Sequence, residues 1–473
     1  MQSLTQNLTT TSPAGNVQKG SKPGVHADFR RKRTGTFTNQ RKSAGNQSDF
    51  PARQDRMEAN LFVFRTPDMR CHEVGTMVIL STVVPHFSHI FQGVISLIFL
   101  CISVVYLCII FRLIPGIKKL KSPARSALIP VTKVSIIIPA RNEEENIALC
   151  LADIANQDYP GELLEVIVID DHSTDNTASV VNNFAGRHPE MKITLIPNNQ
   201  PEKHKAYKKE AIRLAISASS GDLIITTDAD TRSDKGWISS IVGFYEKEHP
   251  EMILGPVMFH EEKSLFEKLA GMEFLGLMAV TAGSCASGFP LMCNGANLAY
   301  TRKAWNGTQD VQDDLKYPSG DDLFLLIRIR KKYGNPGVKY LFSEEAIVRT
   351  NAVKSPGLFI QQRLRWVSKS RGYSDFFVTG TAIITYLFNL FLAGFLIAGI
   401  FSLDALLIFA IFFGCKLVAE FYPVYKMAGF YRKRKLLVLY PFAQFLNLFY
   451  VTLIGLLGNV MPYEWKGRKV TPF

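Results

Sequence analysis

Two aspartates, Asp228 and Asp230, directly follow an apolar run at residues 223–227 that we predict to be a buried strand. In a parallel α/β sheet, the carboxyl ends of the strands line the crevice where ligands bind. Mg²⁺ and Mn²⁺ prefer carboxylate oxygens, with substrate phosphates completing the coordination shell. An Asp-rich turn produces the same local pattern without any ligand. Taken alone, the pair therefore favours a metal site and a simple turn about equally.

Two earlier predicted strands also end in polar residues. The strand at 134–138 is followed by Asn142 and three glutamates, and the strand at 164–169 is followed by Asp171 and Asp175. Local structure can explain each group by itself, because Asn142 is a good helix N-cap, glutamates complement the positive end of a helix dipole, and aspartates suit turns and caps. Three such groups at one edge of a sheet are better explained by a shared ligand.

The segment from residue 130 to residue 375 alternates short apolar strands with polar helices. Besides the strands above, we predict helices at 142–156, 175–187 and 205–219, and a strand at 192–196. Strands that alternate with helices of this length are typical of right-handed βαβ units. The sequence therefore predicts an α/β domain with a mostly parallel, doubly wound sheet.

Four apolar stretches are long enough to cross a bilayer, whose hydrocarbon core requires about 20 residues. The first, at 93–111, carries no charge and is followed by Arg112 and Lys118, so the positive-inside rule places the α/β domain in the cytoplasm. The other three stretches occupy residues 377–401, 406–424 and 436–461.

Two apolar segments are harder to place. Residues 265–289 are interrupted by charged residues, and we predict a helix and loop against the membrane rather than a span. If the last stretch, 436–461, crosses the bilayer, the basic residues at 466–469 fall on the outer side, which the positive-inside rule disfavours. A re-entrant or interfacial last segment is the alternative.

Composition restricts the partners and the compartment. The 473 residues carry a formal net charge of +13 and are 47% hydrophobic. The basic residues cluster in the first seventy residues and beside the apolar stretches, as in membrane-flanking loops, so we expect no nucleic-acid partner. Seven cysteines without metal-ligand spacing indicate neither a disulfide framework nor a zinc site.

These features divide the chain into four parts. We expect a disordered basic tail at 1–75, a first transmembrane helix at 90–113, the α/β domain at 130–375 and a C-terminal transmembrane region of three helices at 377–461. The tail is rich in polar residues and lacks apolar periodicity. Several methionines lie closer to the first predicted helix, so whether the tail belongs to the native protein stays open.

Two further motifs follow in the second half of the α/β domain. Asp321 and Asp322 precede a predicted helix at 323–333, which they could cap. Gln362 to Trp366 lies in an amphipathic stretch just before the membrane. Without a ligand, this stretch is explained by an interfacial helix whose basic residues lie at the lipid headgroups.

Five motifs resemble, in order, those of family 2 glycosyltransferases, which are inverting enzymes of the GT-A fold that use nucleotide-diphosphate sugars. The resemblance extends from residue 134 to residue 366, which is about half of the chain. The motifs occupy residues 136–143, 168–175, 228–230, 320–322 and 362–366.

On the donor side, the resemblance implies that Asp230, with Asp228 beside it, binds Mg²⁺ or Mn²⁺. Asp228 would also lie near the ribose and the diphosphate. Lys208 or Lys209 occupies the position of a phosphate-binding lysine, although the glycine that commonly precedes that lysine is absent. The donor-binding residues implied in this way are Pro139, Arg141, Glu143, Asp171, Lys208 and Asp228.

On the acceptor side, the resemblance implies that Asp322 is the base that takes the proton from the acceptor hydroxyl. Asp321 would assist by raising the pKa of Asp322 through like-charge repulsion. The residues implied at the acceptor and the diphosphate are Gln362, Arg365, Trp366 and Asn294.

These expectations predict an integral protein of the inner membrane whose cytoplasmic domain transfers a hexosyl or N-acetylhexosaminyl group from a nucleotide sugar to a lipid or lipid-linked acceptor. The Gln-x-x-Arg-Trp motif also occurs in processive polysaccharide synthases, so a polymerase acting as a homo-oligomer or with a partner subunit is the alternative. Four apolar stretches are few for a polymer channel. A non-catalytic nucleotide-sugar sensor or scaffold is the alternative from another class, and the complete set of motif carboxylates argues against it.

Overall fold

The computed structural model describes residues 71–123, 129–199, 207–309 and 320–471, with the side chains of 71–92 and 207 excepted. Residues 1–70 of the predicted tail and residues 205–206 of a predicted helix lie outside this part of the chain. In chain order, the described strands are β1 (Val134–Ala140), β2 (Leu164–Asp170), β3 (Lys192–Pro197), β4 (Leu223–Thr226), β5 (Arg232–Ser233), β6 (Met252–Leu254), β7 (Val257–Phe259), β8 (Leu298–Thr301), β9 (Val338–Tyr340), β10 (Val348–Thr350), β11 (Tyr463–Trp465) and β12 (Arg468–Val470).

The helices lie between these strands and after them. The described helices are α1 (Cys71–Lys119), α2 (Ile147–Ala155), α3 (Thr177–Arg187), α4 (Tyr207–Ser217), α5 (Trp237–Glu248), α6 (Leu265–Ala286), α7 (Arg302–Gly307), α8 (Asp321–Tyr333), α9 (Pro356–Val367), α10 (Phe376–Ala398), α11 (Leu403–Phe430) and α12 (Tyr440–Leu457).

Seven of the described strands form one mixed sheet in the order β3-β2-β1-β4-β8-β6-β9. The pairs β2–β3, β1–β2, β1–β4 and β6–β9 are parallel, whereas β8 runs antiparallel to both of its neighbours. The predicted α/β class with a mostly parallel sheet is therefore confirmed. Because β1, β2 and β4 are adjacent and parallel, the three polar groups that follow them meet at one edge of the sheet.

Burial on both faces explains why the central strands read as continuous apolar runs. Along β1, Ile136 and Ile138 point into a core shared with α2, α3 and α5, while Ile137 points into the opposite core, which is shared with α4, α6 and α8. All four residues of β4 are buried. The strand that ends before Asp228 is thus held from both sides, and its position in the sheet is well determined.

The start of α2 differs from the prediction. The helix begins at Ile147 and not at Asn142, and Asn142 does not cap it. Asn142 has a left-handed backbone (φ 51°), and its side-chain oxygen accepts a hydrogen bond from the backbone N–H of Thr174 (2.8 Å). The prediction was wrong because a tertiary contact between the β1 and β2 loops uses this side chain. Asp175, by contrast, accepts from the N–H of Thr177 in the first turn of α3 (3.0 Å).

Five helical segments of the described chain are long and apolar enough to cross a membrane, judged by length and composition alone. Four of them, in α1, α10, α11 and the region of α12, leave most of their surface unburied by protein. In the fifth, α6, 67% of the most apolar window is buried. Helix α6 therefore belongs to the protein core, and it connects the α/β domain to the apolar helices.

Both ends of the last apolar segment contact the α/β domain. At its start, Lys433 forms an ion pair with Glu262 beside α6. At its end, Ile454 packs against Leu364 of α9 and Tyr463 of β11. A helix that crosses a bilayer once places its two ends on opposite sides, so this arrangement favours the re-entrant or interfacial alternative for α12.

Candidate active site

Asp228 and Asp230 extend from the end of β4 into a cavity of about 360 Å³, which we call the strand-end cavity. The polar residues that follow β1 and β2 also face it. All predicted donor-binding residues and the predicted metal ligand are in its wall: Pro139, Arg141, Glu143, Asp171, Lys208, Asp228 and Asp230.

The two carboxylates of the Asp-Ala-Asp motif differ in their surroundings. Asp228 accepts a hydrogen bond from Lys208 Nζ (2.6 Å), and although burial alone would raise its pKa, the Lys208 charge lowers that pKa below the usual value. Burial, together with the charges of Asp228 and Glu143, raises the pKa of Asp230 to about 6. Asp230 thus carries the less compensated negative charge of the pair.

The sequence analysis did not distinguish Lys208 from Lys209, and the structure shows that the two side chains have different surroundings. Lys208 faces the strand-end cavity, where it pairs with Asp228. Lys209 does not line that cavity and lies over the ring of Phe324 (4.2 Å). Burial lowers the pKa of Lys209 to about 7. Of the two lysines, Lys208 is therefore the one that lines the strand-end cavity.

Arg141 and Asp171 join the ends of β1 and β2. Arg141 Nη1 donates to the backbone carbonyls of Asp171 (2.7 Å) and His172 (2.9 Å). The carboxylate of Asp171 accepts from Asn198 Nδ2 (3.0 Å) and from Arg468 Nη1 (2.7 Å). Burial alone would raise the pKa of Asp171, but these bonds lower it, so this carboxylate is ionised and fixed in position.

A second cavity, of about 350 Å³, lies next to the first, and we call it the Asp322 cavity. It contains every residue predicted for the acceptor side. The two cavities share part of their walls. The predicted acceptor-side residues in the Asp322 cavity are Asn294, Asp321, Asp322, Gln362, Arg365 and Trp366, and the shared residues are Lys208, Asp228, Asp230, Thr350, Gln362 and Arg365.

Asp322 lies in the first turn of α8 and also accepts a hydrogen bond from the N–H of Leu323 (2.8 Å). Lys369 Nζ lies 3.6 Å from Asp322 Oδ1. Burial alone would raise the pKa of Asp322, but Lys369, the Leu323 N–H and Lys208 together lower it. The expected increase of this pKa through Asp321 was therefore wrong, because nearby cations outweigh the neighbouring carboxylate.

The Gln-x-x-Arg-Trp motif lies on α9, between the Asp322 cavity and the apolar helices. Its internal Arg363 is buried, forms an ion pair with Glu273 of α6, and stacks on the ring of Trp366 (4.2 Å). Arg365 lies over the ring of Trp465 (5.5 Å). These contacts fix the orientation of Arg365 and Trp366 toward the cavity.

The hairpin of β11 and β12 closes one side of the strand-end cavity. Its turn residues, Lys466 (φ 47°) and Gly467 (φ 77°), have the left-handed conformation of a two-residue hairpin turn. Lys466 forms an ion pair with Glu143 and donates to the carbonyl of Arg141 (3.0 Å). Lys466 and Arg468 therefore contact the α/β domain directly, which favours a last apolar segment that does not place them on the opposite side of the membrane.

Two family models match this chain. The model described as Glycosyl transferase family 2 matches residues 135–304, and the model described as Glycosyl transferase family group 2 matches residues 223–456. Together the matches extend over residues 135–456, well over half of the chain, and include all the motifs above. The chain belongs to glycosyltransferase family 2.

Two bacterial N-acetylglucosaminyltransferases are among the curated relatives of this family 2 glycosyltransferase. An N-acetylglucosaminyltransferase of Rhizobium meliloti is 30% identical over 246 residues, which are 50% of this chain and 55% of the relative. An N-acetylglucosaminyltransferase of Sinorhizobium fredii is 29% identical over 266 residues, which are 53% of this chain and 62% of the relative. The chain thus spans little more than half the length of these relatives.

Solved structures also resemble this family 2 glycosyltransferase. One of them is a mannosyltransferase of Pyrobaculum calidifontis in complex with GDP-mannose and Mn²⁺. Its TM-score is 0.47 at 18% sequence identity, and the alignment covers 76% of this chain and 96% of the mannosyltransferase.

The donor atoms at the strand-end cavity fit a divalent cation that is shared with a substrate. Within the described residues there is no group of three or more His, Cys, Asp or Glu side chains that could hold a metal ion by itself. Mg²⁺ commonly takes one or two carboxylates and completes its shell with substrate phosphates and water. Burial and the neighbouring carboxylates raise the pKa of Asp230, and such a cation would favour the ionised form of this side chain.

Sequence reasoning missed three cationic residues of this family 2 glycosyltransferase. Lys369 follows α9, and Lys466 and Arg468 belong to the C-terminal hairpin. The signal for the hairpin was present, since a Lys-Gly turn between alternating residues predicts a β-hairpin. Lys369 had no such signal, because only the folded chain brings it next to Asp322.

Proposed function

We propose that the protein is a membrane-embedded inverting glycosyltransferase that moves a sugar from a nucleotide-diphosphate sugar to a lipid or lipid-linked acceptor at the cytoplasmic face. One observation carries this proposal. The strand-end cavity and the Asp322 cavity share the carboxylates of Asp228 and Asp230, whereas Asp322 lines the Asp322 cavity and not the strand-end cavity. A donor and an acceptor can therefore meet at the shared wall, with the base on the acceptor side.

In this proposal, the oxygen of the acceptor hydroxyl forms a bond to the anomeric carbon of the sugar, and Asp322 takes the proton from that hydroxyl. The bond from that carbon to the diphosphate breaks on the opposite face, which gives inversion. The lowered pKa of Asp322 keeps it ionised and ready to accept the proton at neutral pH.

The departing nucleoside diphosphate carries negative charge that must be stabilised. Lys208, Arg365 and Lys466 line the strand-end cavity and supply fixed positive charge there. A divalent cation bound by Asp228 and Asp230 would add to this charge when present. Pro139, Arg141 and Asp171 line the same cavity and would hold the nucleobase.

The relatives support a more specific donor. Because the matched regions of two curated relatives belong to N-acetylglucosaminyltransferases, we propose a nucleotide-linked N-acetylhexosamine as the first donor to test. Helix α9 couples the Asp322 cavity to the apolar helices through Arg363 and Glu273, which supports an acceptor that reaches the site from the membrane side.

The test is release of nucleoside diphosphate by detergent-purified protein given Mg²⁺ or Mn²⁺, a panel of nucleotide sugars and a native lipid extract. Metal-dependent release that is absent in Asp322→Asn is the expected result, with a radiolabelled product of the size of a lipid glycoside. A labelled polymer would indicate a processive synthase instead. Nucleotide binding without release from any donor would reject transfer and indicate a sensor.

A further inference from the structure

A third cavity, of about 200 Å³, lies among α1, α6, α10, α11 and α12, and we call it the helix cavity. Most of its wall is apolar, with Ile110 and Leu113 from α1 and Val424 from α11. It borders the Asp322 cavity at Leu277 of α6, which lines both. A ligand in the helix cavity would therefore lie one side chain away from the space that holds Asp322.

Charged side chains also line the helix cavity, which is unusual for apolar helices. Lys416 Nζ donates to Glu420 Oε1 (2.6 Å) and Gln444 Oε1 (2.8 Å), and Gln444 Nε2 donates to Glu420 Oε2 (2.8 Å). On the opposite wall, Glu273 pairs with Arg363. Each carboxylate is matched by a cation, so the formal charges cancel and the cavity has no spare positive charge for an anion.

Two hydrogen-bond acceptors in the helix cavity have no partner among the described residues. They are Asn389 Oδ1 on α10 and Asn447 Oδ1 on α12. Asn389 is 2% exposed, and its amide Nδ2 donates to the carbonyl of Thr385 (2.7 Å), which fixes the direction of the oxygen. Buried polar atoms in folded proteins are nearly always paired. These oxygens are therefore suited to a ligand that donates hydrogen bonds.

We propose that the helix cavity binds the acceptor, and that the acceptor is an uncharged lipid with a reacting hydroxyl and at least one further hydroxyl or amide N–H. The further donor would bond to Asn389 or Asn447, the apolar chains would lie against α1 and α11, and the reacting hydroxyl would extend past Leu277 toward Asp322. A lipid phosphate is disfavoured, because the cations of the cavity are already paired. This inference rests on the proposed function, since it names the acceptor of the same site.

The geometric test fills the junction of the two cavities. Leu277 lines both cavities, so Leu277→Trp should fill part of the helix cavity and exclude the lipid, whereas Ile383→Trp makes the same kind of change at an exposed position on α10 (Ile383 52% exposed). The protein is placed in phosphatidylcholine nanodiscs that contain a photoreactive ceramide, which carries two hydroxyls and an amide. We expect cross-links to peptides of α10 and α12 in the unmodified chain and in Ile383→Trp, and their loss in Leu277→Trp.

The chemical test removes the unpaired oxygen. Asn389→Leu keeps the side-chain size, and Asn459→Leu is the matched control, because Asn459 Oδ1 is also buried without a partner among the described residues but does not line the helix cavity. Loss of one hydrogen bond to the lipid should raise the KM for ceramide by about tenfold. The KM for the nucleotide sugar, and both values in Asn459→Leu, should not change.

Four outcomes separate this inference from the proposed function. Transfer to ceramide that exceeds transfer to diacylglycerol and to a polyprenyl phosphate supports it. The lipid site is overturned, and the transferase function retained, if the protein prefers to transfer to the polyprenyl phosphate or to a growing polymer and neither Leu277→Trp nor Asn389→Leu has an effect. Ceramide cross-links that depend on Leu277, in a protein that releases no nucleoside diphosphate, support the lipid site and reject the transferase. No cross-links in the helix cavity overturn the lipid site.

Discussion

The strand-end cavity and the helix cavity are built from different parts of the chain. The first is formed by loops after parallel strands, and its charges come from short contiguous motifs such as Asp228-Ala229-Asp230. The second is formed by single residues on five helices, such as Asn389 and Lys416, none of which belongs to a motif. The difference teaches that the strand-end cavity can be recognised from sequence, whereas the helix cavity must be found from contacts.

This contrast fits the physical demands on the two sides. A nucleotide diphosphate has a fixed distribution of charge, so its site needs carboxylates and cations at defined positions on a rigid sheet edge. An acceptor that arrives from the bilayer needs mainly an apolar surface of the right width and a few hydrogen-bonding groups. If the two sides differ in this way, substitutions at the strand-end cavity should weaken binding of the nucleotide sugar, whereas substitutions at Asp322 should lower the rate of transfer.

The largest effect is expected at Asp322. Asp322→Asn keeps the shape of the side chain but cannot accept a proton, so kcat should fall by roughly 10²–10⁴-fold, the range typical of general-base removal. Binding of the nucleotide sugar, measured by isothermal titration calorimetry with Mg²⁺, should stay within about twofold of the unmodified protein because Asp322 does not line the strand-end cavity. A parallel loss of binding would contradict the division.

Asp230→Ala should act on the donor side instead. Removal of this carboxylate leaves Asp228, already paired with Lys208, as the remaining ligand of the Asp-Ala-Asp motif. Nucleotide-sugar binding should therefore become weaker by about tenfold or more and lose its dependence on Mg²⁺ or Mn²⁺. Asp234→Ala is the matched control, because Asp234 pairs with Arg349 outside the cavity. Retained metal dependence in Asp230→Ala would reject Asp230 as a ligand.

Prediction from the sequence succeeded where local pattern determines structure. The strands before Asp171 and Asp228 were placed correctly because parallel strands that are buried on both faces are continuous apolar runs. The motif residues then meet because those strands are neighbours in the sheet. The same local reasoning failed at Asn142, whose side chain bonds to Thr174 and not to its own helix.

What the sequence could not predict depends on contacts between distant parts of the chain. The pKa of Asp322 is lowered by Lys369, which is far from it in sequence. The C-terminal hairpin reaches Glu143 and Asp171 from the other end of the protein. The helix cavity needs residues from five separate helices. In each case the determining partner is specified by the fold and not by any short segment.

The hairpin extends the donor side, and Arg468→Gln tests its contribution. Arg468 pairs with Asp171, which would hold the nucleobase in the proposed function, so loss of the guanidinium should leave that carboxylate less firmly positioned. Because hydrogen bonds to charged groups contribute about 1.5–3 kcal/mol, the KM for the nucleotide sugar should rise by roughly tenfold with kcat nearly unchanged. Lys469→Gln, at an exposed hairpin position, should have no effect. Tighter donor binding in Arg468→Gln would show that the arginine competes with the nucleobase.

The smallest effect is a change in pH dependence at the acceptor side. Lys369 is the cation that lowers the pKa of Asp322 most, and the base works only when it is ionised. In Lys369→Met the pKa of Asp322 should rise, so kcat/KM should fall several-fold at the acidic end of the profile and approach the unmodified value as pH increases. Lys369→Arg keeps the charge and should keep the profile. An equal decrease of kcat/KM at all pH values in Lys369→Met would contradict an effect on the pKa of Asp322. It would indicate that Lys369 contacts the substrate, so that its charge contributes to binding, as the cations of the strand-end cavity do in the proposed function.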